Sequence, residues 1–97
     1  MTDKELYVFL RDTYKIKFAH SYIHFINNFS TLDSGLKDYQ VHHICPRCCG
    51  GNDDERNMIK VSFHHHRKLH QLILQTKELT DEQRQKLTFA YQKMKKG

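Results

Sequence analysis

Six of the chain's eight histidines fall within the 29 residues from His42 to His70. Histidines with no shared task scatter along a chain. A cluster points to metal binding or acid–base chemistry, because imidazole is a metal ligand when neutral and, as a side-chain type, titrates near neutral pH. His66 and His70 lie four apart in a segment of helical periodicity, which puts both rings on one face, able to grip a single ion. His42 and His43 are adjacent in a segment of strand character, where successive side chains point to opposite faces. Taken singly, each pair has a plain explanation: two solvent-facing histidines on a helix, and one core plus one exposed histidine on a strand.

The residues around these pairs set the expected architecture. Residues 39–44 hold the β-favouring Tyr39, Val41 and Ile44. Residues 45–55 are turn-rich, with the single proline Pro46, the pair Gly50-Gly51 and the run Asn52-Asp53-Asp54. Residues 57–63 read as a second strand, with Ile59, Val61 and Phe63 alternating toward one face. A helix is expected from His64 or His65 to about Gln75, with Leu69, Leu72 and Ile73 inward. Upstream, Thr2 and Glu5 form a capping-box pattern before an apolar face of Leu6, Phe9 and Leu10. Phe18, Tyr22, Phe25, Ile26 and Phe29 suggest a second helix, and residues 31–38 a loop. Downstream, Thr80 and Gln83 form another capping box ahead of Leu87, Ala90, Tyr91 and Met94. No repeat or linker interrupts the 97 residues. The expected fold class is therefore α+β, in one domain: a helical part over residues 1–38, a strand–loop–strand–helix core over 39–76, and a last helix over 80–97.

Charge adds a partner class. The formal net charge is +5 with histidine neutral, and it is unevenly spread. Residues 1–40 carry five basic and five acidic side chains; residues 41–70 carry five against three, and residues 71–97 six against three. Such an excess assists binding to a polyanion, or is simply a solvated basic face. Arg47, Arg56, Lys60, Arg67 and Lys68 flank the histidines and are the natural phosphate contacts. Arg47 comes first among them because it follows the His42-His43 pair; a solvated loop cation is the plain alternative. Cys45, Cys48 and Cys49 make an odd, tightly spaced set that suits reduced thiols better than a disulfide framework. No apolar stretch approaches the ~20 residues of a membrane span, and the N-terminus lacks the apolar core of a signal peptide. A cytoplasmic location is expected.

In chain order the residues read His42-His43-Ile44-Cys45-Pro46, Gly50-Gly51, Asn57, Val61, His66 and His70. This combination resembles the HNH (ββα-metal) nuclease family, most closely its small phage-borne homing and free-standing endonucleases, with a His-His-Ile-x-Pro segment, a Gly-Gly turn, an Asn at a strand start and a His-x-x-x-His helix. Colicin-type nucleases share the His-His, Asn and His-x-x-x-His spacing. The resemblance covers about residues 39 to 75. It implies metal-dependent hydrolysis of phosphodiester bonds in DNA, by nicking or double-strand cleavage, leaving a 5′ phosphate and a 3′ hydroxyl. It makes His43 the general base that takes a proton from the attacking water, and His42, His66 and His70 the ligands of one divalent ion. Asn57 joins His43 in the catalytic group by tying down the loop and orienting the backbone nearby. The working ion is expected to be Mg²⁺ or Mn²⁺, although a histidine-rich site also takes Zn²⁺, Ni²⁺ or Co²⁺. DNA is the expected partner; a homodimer or a larger phage protein partner stays open, as does RNA as a substrate. One departure stands out: Ser62-Phe63-His64-His65-His66 replaces the more common Thr-x-Arg-Glu-His, so His64 and His65 have no family role and are expected to be exposed.

Two other readings compete. Cys45-x-x-Cys48 followed by His66-x-x-x-His70 has the ligand types of a C2H2 zinc finger, although 17 residues separate Cys48 from His66 against a usual ~12. That reading leaves His42-His43, Gly50-Gly51 and Asn57 unexplained, and no structural zinc is expected at the cysteines. The other is a domain of the same fold that binds DNA without cutting it.

Overall fold

A computed structural model describes residues 2–29 and 38–94. It holds four helices and a two-stranded antiparallel sheet, an α+β fold. The loop expected over residues 31–38 lies, but for Asp38, outside the described residues, as do Lys95 and Lys96.

Helix α1 (Asp3–Tyr14) starts at the expected capping box: the Glu5 N–H donates to Thr2 Oγ1 at 3.1 Å, and the Thr2 N–H donates to the Glu5 carboxylate at 2.8 Å. Helix α2 (His20–Phe29) packs against it. Phe18, expected in that helix, lies just ahead of it and is buried in the core. Strand β1 (Gln40–His43) pairs with β2 (Met58–Val61), in a register that puts His42 opposite Ile59 and His43 opposite Met58. Helix α3 (Phe63–Ile73) follows at once, and α4 (Asp81–Lys93), opened by the Thr80–Gln83 capping box, packs on it. Arg84 of α4 donates to the carbonyls of Leu74 (2.6 Å) and Thr76 (2.8 Å), satisfying acceptors left open at the end of α3.

The second strand is shorter than its alternating pattern suggests. Asn57 closes a 3-10 turn (Glu55–Asn57), and the strand stops at Val61 because Ser62 caps a helix, its Oγ accepting the His65 N–H at 3.1 Å. Phe63 therefore opens α3 rather than ending a strand, and it is exposed.

The loop between the strands is built around its glycines. Gly50 has φ +93°, a left-handed conformation that glycine adopts without strain. Gly51 donates to the Pro46 carbonyl at 2.9 Å, and any Cβ there would run into the Cys45 carbonyl. The Gly-Gly pair is thus a steric requirement of a loop folded back on the end of β1. The main core joins Leu6 and Leu10 of α1, Tyr22, Ile23 and Ile26 of α2, and Leu69 and Ile73 of α3. No helix among the described residues is long and apolar enough to cross a membrane.

Candidate metal centre and active site

Strand β1 delivers its two histidines to opposite environments, as the alternation of side chains requires. His42 is buried, whereas the His43 side chain keeps 25 % of its surface exposed. Helix α3 presents His66 and His70 one turn apart. The ligand atoms of His42, His66 and His70 all lie within 4.8 Å of one another, close enough to hold one ion. Among the described residues these three histidines are the group so arranged; the cysteines form none.

Hydrogen bonds fix which nitrogens carry protons. Tyr22 donates its single hydroxyl proton to the Ile44 carbonyl at 2.6 Å. Its contact with His42 Nε2 at 2.7 Å must then run the other way, from Nε2–H to the phenol oxygen. That leaves the lone pair of His42 on Nδ1, a buried nitrogen with no protein partner. The Gln40 amide oxygen accepts from His66 Nδ1 at 2.6 Å, leaving the His66 lone pair on Nε2, which lies 3.2 Å from His70 Nε2. His70 Nδ1 is likewise buried without a partner. Orphaned buried nitrogens are rare in folded proteins. The one on His42, in a trio this close, fits an ion that the protein itself does not supply.

Electrostatics keeps the trio neutral. Burial, and then the neighbouring His66, His70 and His43, hold His42 well below the ordinary imidazole range. Burial and His70 bring His66 down to about 4, and burial lowers His70. Neutral imidazoles are donors suited to Zn²⁺, Ni²⁺, Co²⁺ and similar ions, and three protein ligands leave a position open.

His43 lines the same cleft, an open space of ≈ 300 Å³, together with Arg47 and the three clustered histidines. Its Nε2 donates to Asp53 Oδ1 at 2.8 Å, and Arg47 Nη2 donates to the same oxygen at 2.7 Å. The His43 hydrogen bond and the Arg47 charge hold the Asp53 carboxyl below its usual range. With Nε2–H engaged, Nδ1 is the His43 nitrogen that has a lone pair. Asn57 is fully buried. Its Oδ1 accepts the Cys45 N–H at 2.7 Å, and its Nδ2 donates to the carbonyls of Cys45 (3.1 Å) and Asn52 (2.8 Å). It clamps both ends of the loop that carries Arg47 and Asp53, and takes no place in the cleft itself.

The five basic residues expected at phosphate disperse. Arg47 lines the cleft. Arg56 pairs with Asp54 at 3.1 Å and stacks on the Phe9 ring at 4.9 Å. Lys60 sits over Tyr39 at 4.7 Å. Arg67 and Lys68 line a different cleft beside Tyr91. His64 is exposed as expected, but His65 packs edge-on against Phe25, with ring centroids 5.6 Å apart, and is half-buried. Tyr22, Gln40 and Asp53, which position the histidines, carry no signal of that role in the sequence. Each sits outside the motif or in a run of ordinary loop residues, and only the tertiary fold brings it to its partner.

Among the described residues the cysteines are not grouped with the histidines that a finger would need. Cys45 and Cys49 are buried, and burial pushes both thiols up to about 12.

Comparison with known proteins gives a short local similarity. The chain is 38 % identical over 39 residues to the "Probable mobile endonuclease E" of Enterobacteria phage T4. The match covers 39 % of this chain and 28 % of that protein, so the chain spans less than a third of the relative's length. No family model and no solved structure matches the chain. The similarity at hand is therefore to part of a phage nuclease.

Proposed function

We propose that the chain is a metal-dependent DNA endonuclease of the HNH type, with β1, β2 and α3 forming its ββα-metal core in a single domain. The observation that carries this reading is the convergence of His42, His66 and His70 within 4.8 Å in a cleft that His43 and Arg47 also line. The partial similarity to a phage endonuclease supports it.

In this reading His42, His66 and His70 hold one divalent ion. When bound, the ion supplies electrostatic stabilisation of charge on the scissile phosphate and the leaving oxygen. His43 accepts the proton of the attacking water on Nδ1 while Asp53 holds Nε2–H and fixes the ring. Arg47 shares Asp53 with His43 and, as the arginine lining this cleft, can turn toward an incoming phosphate. Both members of the Arg47–Asp53 pair are largely exposed, so the pair is weak and exchange for phosphate costs little. Asn57 acts at one remove, by holding the loop from which Arg47 and Asp53 project.

The test is cleavage of supercoiled plasmid by the wild type and by His43→Ala, each with Mg²⁺, Mn²⁺ or EDTA. The expected result is nicked or linear product from the wild type with metal only, and none from His43→Ala. A wild type inert with every metal, yet able to shift DNA in a gel, would make the chain a binding module.

A further inference from the structure

A second cleft lies between α3 and α4, lined by His64, Arg67, Lys68, Gln71 and Tyr91, with a volume of ≈ 160 Å³. We propose that it is a second phosphate seat, which grips the nucleic-acid backbone away from the bond being cut; this rests on the nuclease reading above.

Sequence spacing makes the cleft a distinct face. His64, Arg67, Lys68 and Gln71 follow the i, i+3, i+4, i+7 pattern of one helical stripe. At ~100° per residue, that stripe is centred roughly 130° around α3 from His66 and His70. The two faces are then separated by about 10 Å, the thickness of a helix. One strand of nucleic acid covers that distance in about three nucleotides at 3.4 Å each.

The chemistry of the lining suits an anion. It has two cations, three further side chains able to donate hydrogen bonds, and no carboxylate. Arg67 is the exception among the chain's five arginines. Arg11, Arg47 and Arg56 are paired with aspartates, and Arg84 with backbone carbonyls. Arg67 makes no ion pair among the described residues, and its Nε is buried with no hydrogen-bond partner. What holds the guanidinium there is Tyr91 of α4, whose ring centroid lies 5.6 Å away. An arginine that lines the cleft, is steadied by an aromatic ring and has no carboxylate partner can take a phosphate end-on, through two of its terminal N–H groups.

The experiment is fluorescence anisotropy of the full chain in EDTA with a labelled mixed-sequence duplex, between 50 and 200 mM salt. Each phosphate contact contributes about −0.9 to the slope of log K against log salt. Arg67→Gln and Lys68→Gln are therefore each expected to weaken binding about fivefold at 0.15 M salt, and together to flatten the slope by about two. Arg67→Lys should keep the slope and lose only part of the affinity, because a point charge replaces the fork. Lys86→Gln, which removes a cation already paired with Glu82, serves as the control and should change neither quantity. Lys68 is exposed, so its variant keeps the test informative if Arg67→Gln folds poorly. If the wild type binds the duplex and the Arg67 and Lys68 variants match it in affinity and slope, the second seat is wrong and the nuclease reading stands. If the wild type binds no duplex at any salt, both fall.

Discussion

Tyr22 and His42 share a hydrogen bond whose direction is set by a third group. The phenol gives its one proton to the Ile44 carbonyl, so His42 Nε2–H must be the donor to the phenol oxygen. A residue of α2 thereby sets the tautomer of a residue of β1. Outer partners of this kind commonly change metal affinity 10–100-fold. Tyr22→Phe is expected to weaken binding of Co²⁺ or Zn²⁺ by a factor in that range, measured by calorimetry. It should also lower stability by about 1–3 kcal/mol, because the buried Ile44 carbonyl and His42 Nε2–H lose their partner. Unchanged metal affinity would refute the tautomer argument, even if stability fell.

That pair also marks how far the sequence could be read. Which of His42 and His43 turns inward came only from the family resemblance. That His66 and His70 share a face and that His42 and His43 part to opposite faces is legible, because the helical repeat and strand alternation are local rules. The capping boxes at Thr2 and Thr80 were legible for the same reason. Tyr22, Gln40 and Asp53 were not. Tyr22 looks like any core aromatic, and it reaches His42 only across 20 residues of chain. Ser62 has no Glu or Gln three residues on, so its cap has no capping-box signature and the strand alternation runs on to Phe63. The spread of the basic residues was equally out of reach. Charge counts carry no direction, and Arg56 and Lys60 are turned onto Phe9 and Tyr39 by packing.

The metal-free protein should lose stability as pH falls through the imidazole range. Unfolded histidine takes up a proton near pH 6.5, whereas burial keeps His66 neutral down to about 4 and holds His42 and His70 low as well. A depressed folded-state pKa gives stability that is fully present above the unfolded value and is lost as pH falls toward the folded one. The loss should therefore begin near 6.5 and continue toward 4. Asp3, Asp53 and Asp54, held below the usual carboxylate range by their hydrogen bonds, add to it only below about 4. Thermal melts in EDTA should give a flat midpoint from pH 8 to 7 and a clear decline between 6.5 and 5. A midpoint constant across that interval would show that the trio is not buried neutral.

Thiol chemistry separates the histidine centre from a zinc finger. Cys45 and Cys49 are buried with their thiols raised to about 12, and Cys48 is half-buried. A disulfide reagent at pH 8 should therefore titrate Cys48 rapidly and the other two only on unfolding. Metal should not alter that count. The double variant Cys45→Ser/Cys48→Ser should retain metal binding and plasmid cleavage. The Cys45 Sγ already faces the carbonyls of Pro46 (3.8 Å) and Cys49 (3.5 Å), so a serine hydroxyl finds acceptors there. Loss of bound metal in the double variant would move the ligands to the cysteines.

Asn57 offers the sharpest test of a residue that acts only by position. Its side chain satisfies the Cys45 N–H and the carbonyls of Cys45 and Asn52, all at the roots of the loop that carries Arg47 and Asp53. Asn57→Ala orphans three backbone groups, at about 1–3 kcal/mol for each that stays buried. A loss of about 3 kcal/mol is expected, a large share of the ~5–15 kcal/mol that holds a typical domain. Asn57→Asp keeps the acceptor for Cys45 N–H but sets a fully buried carboxylate against the carbonyls of Cys45 and Asn52, so its urea midpoint should lie no higher than that of Asn57→Ala. Cleavage assayed at low temperature, where the variants remain folded, should fall at least tenfold in Asn57→Ala, because His43 loses the fixed position of Asp53. Metal affinity should change much less, since none of the three clustered histidines sits on that loop. Normal cleavage by a folded but destabilised Asn57→Ala would show that the loop matters for stability alone, and that His43 works without the Asp53 contact.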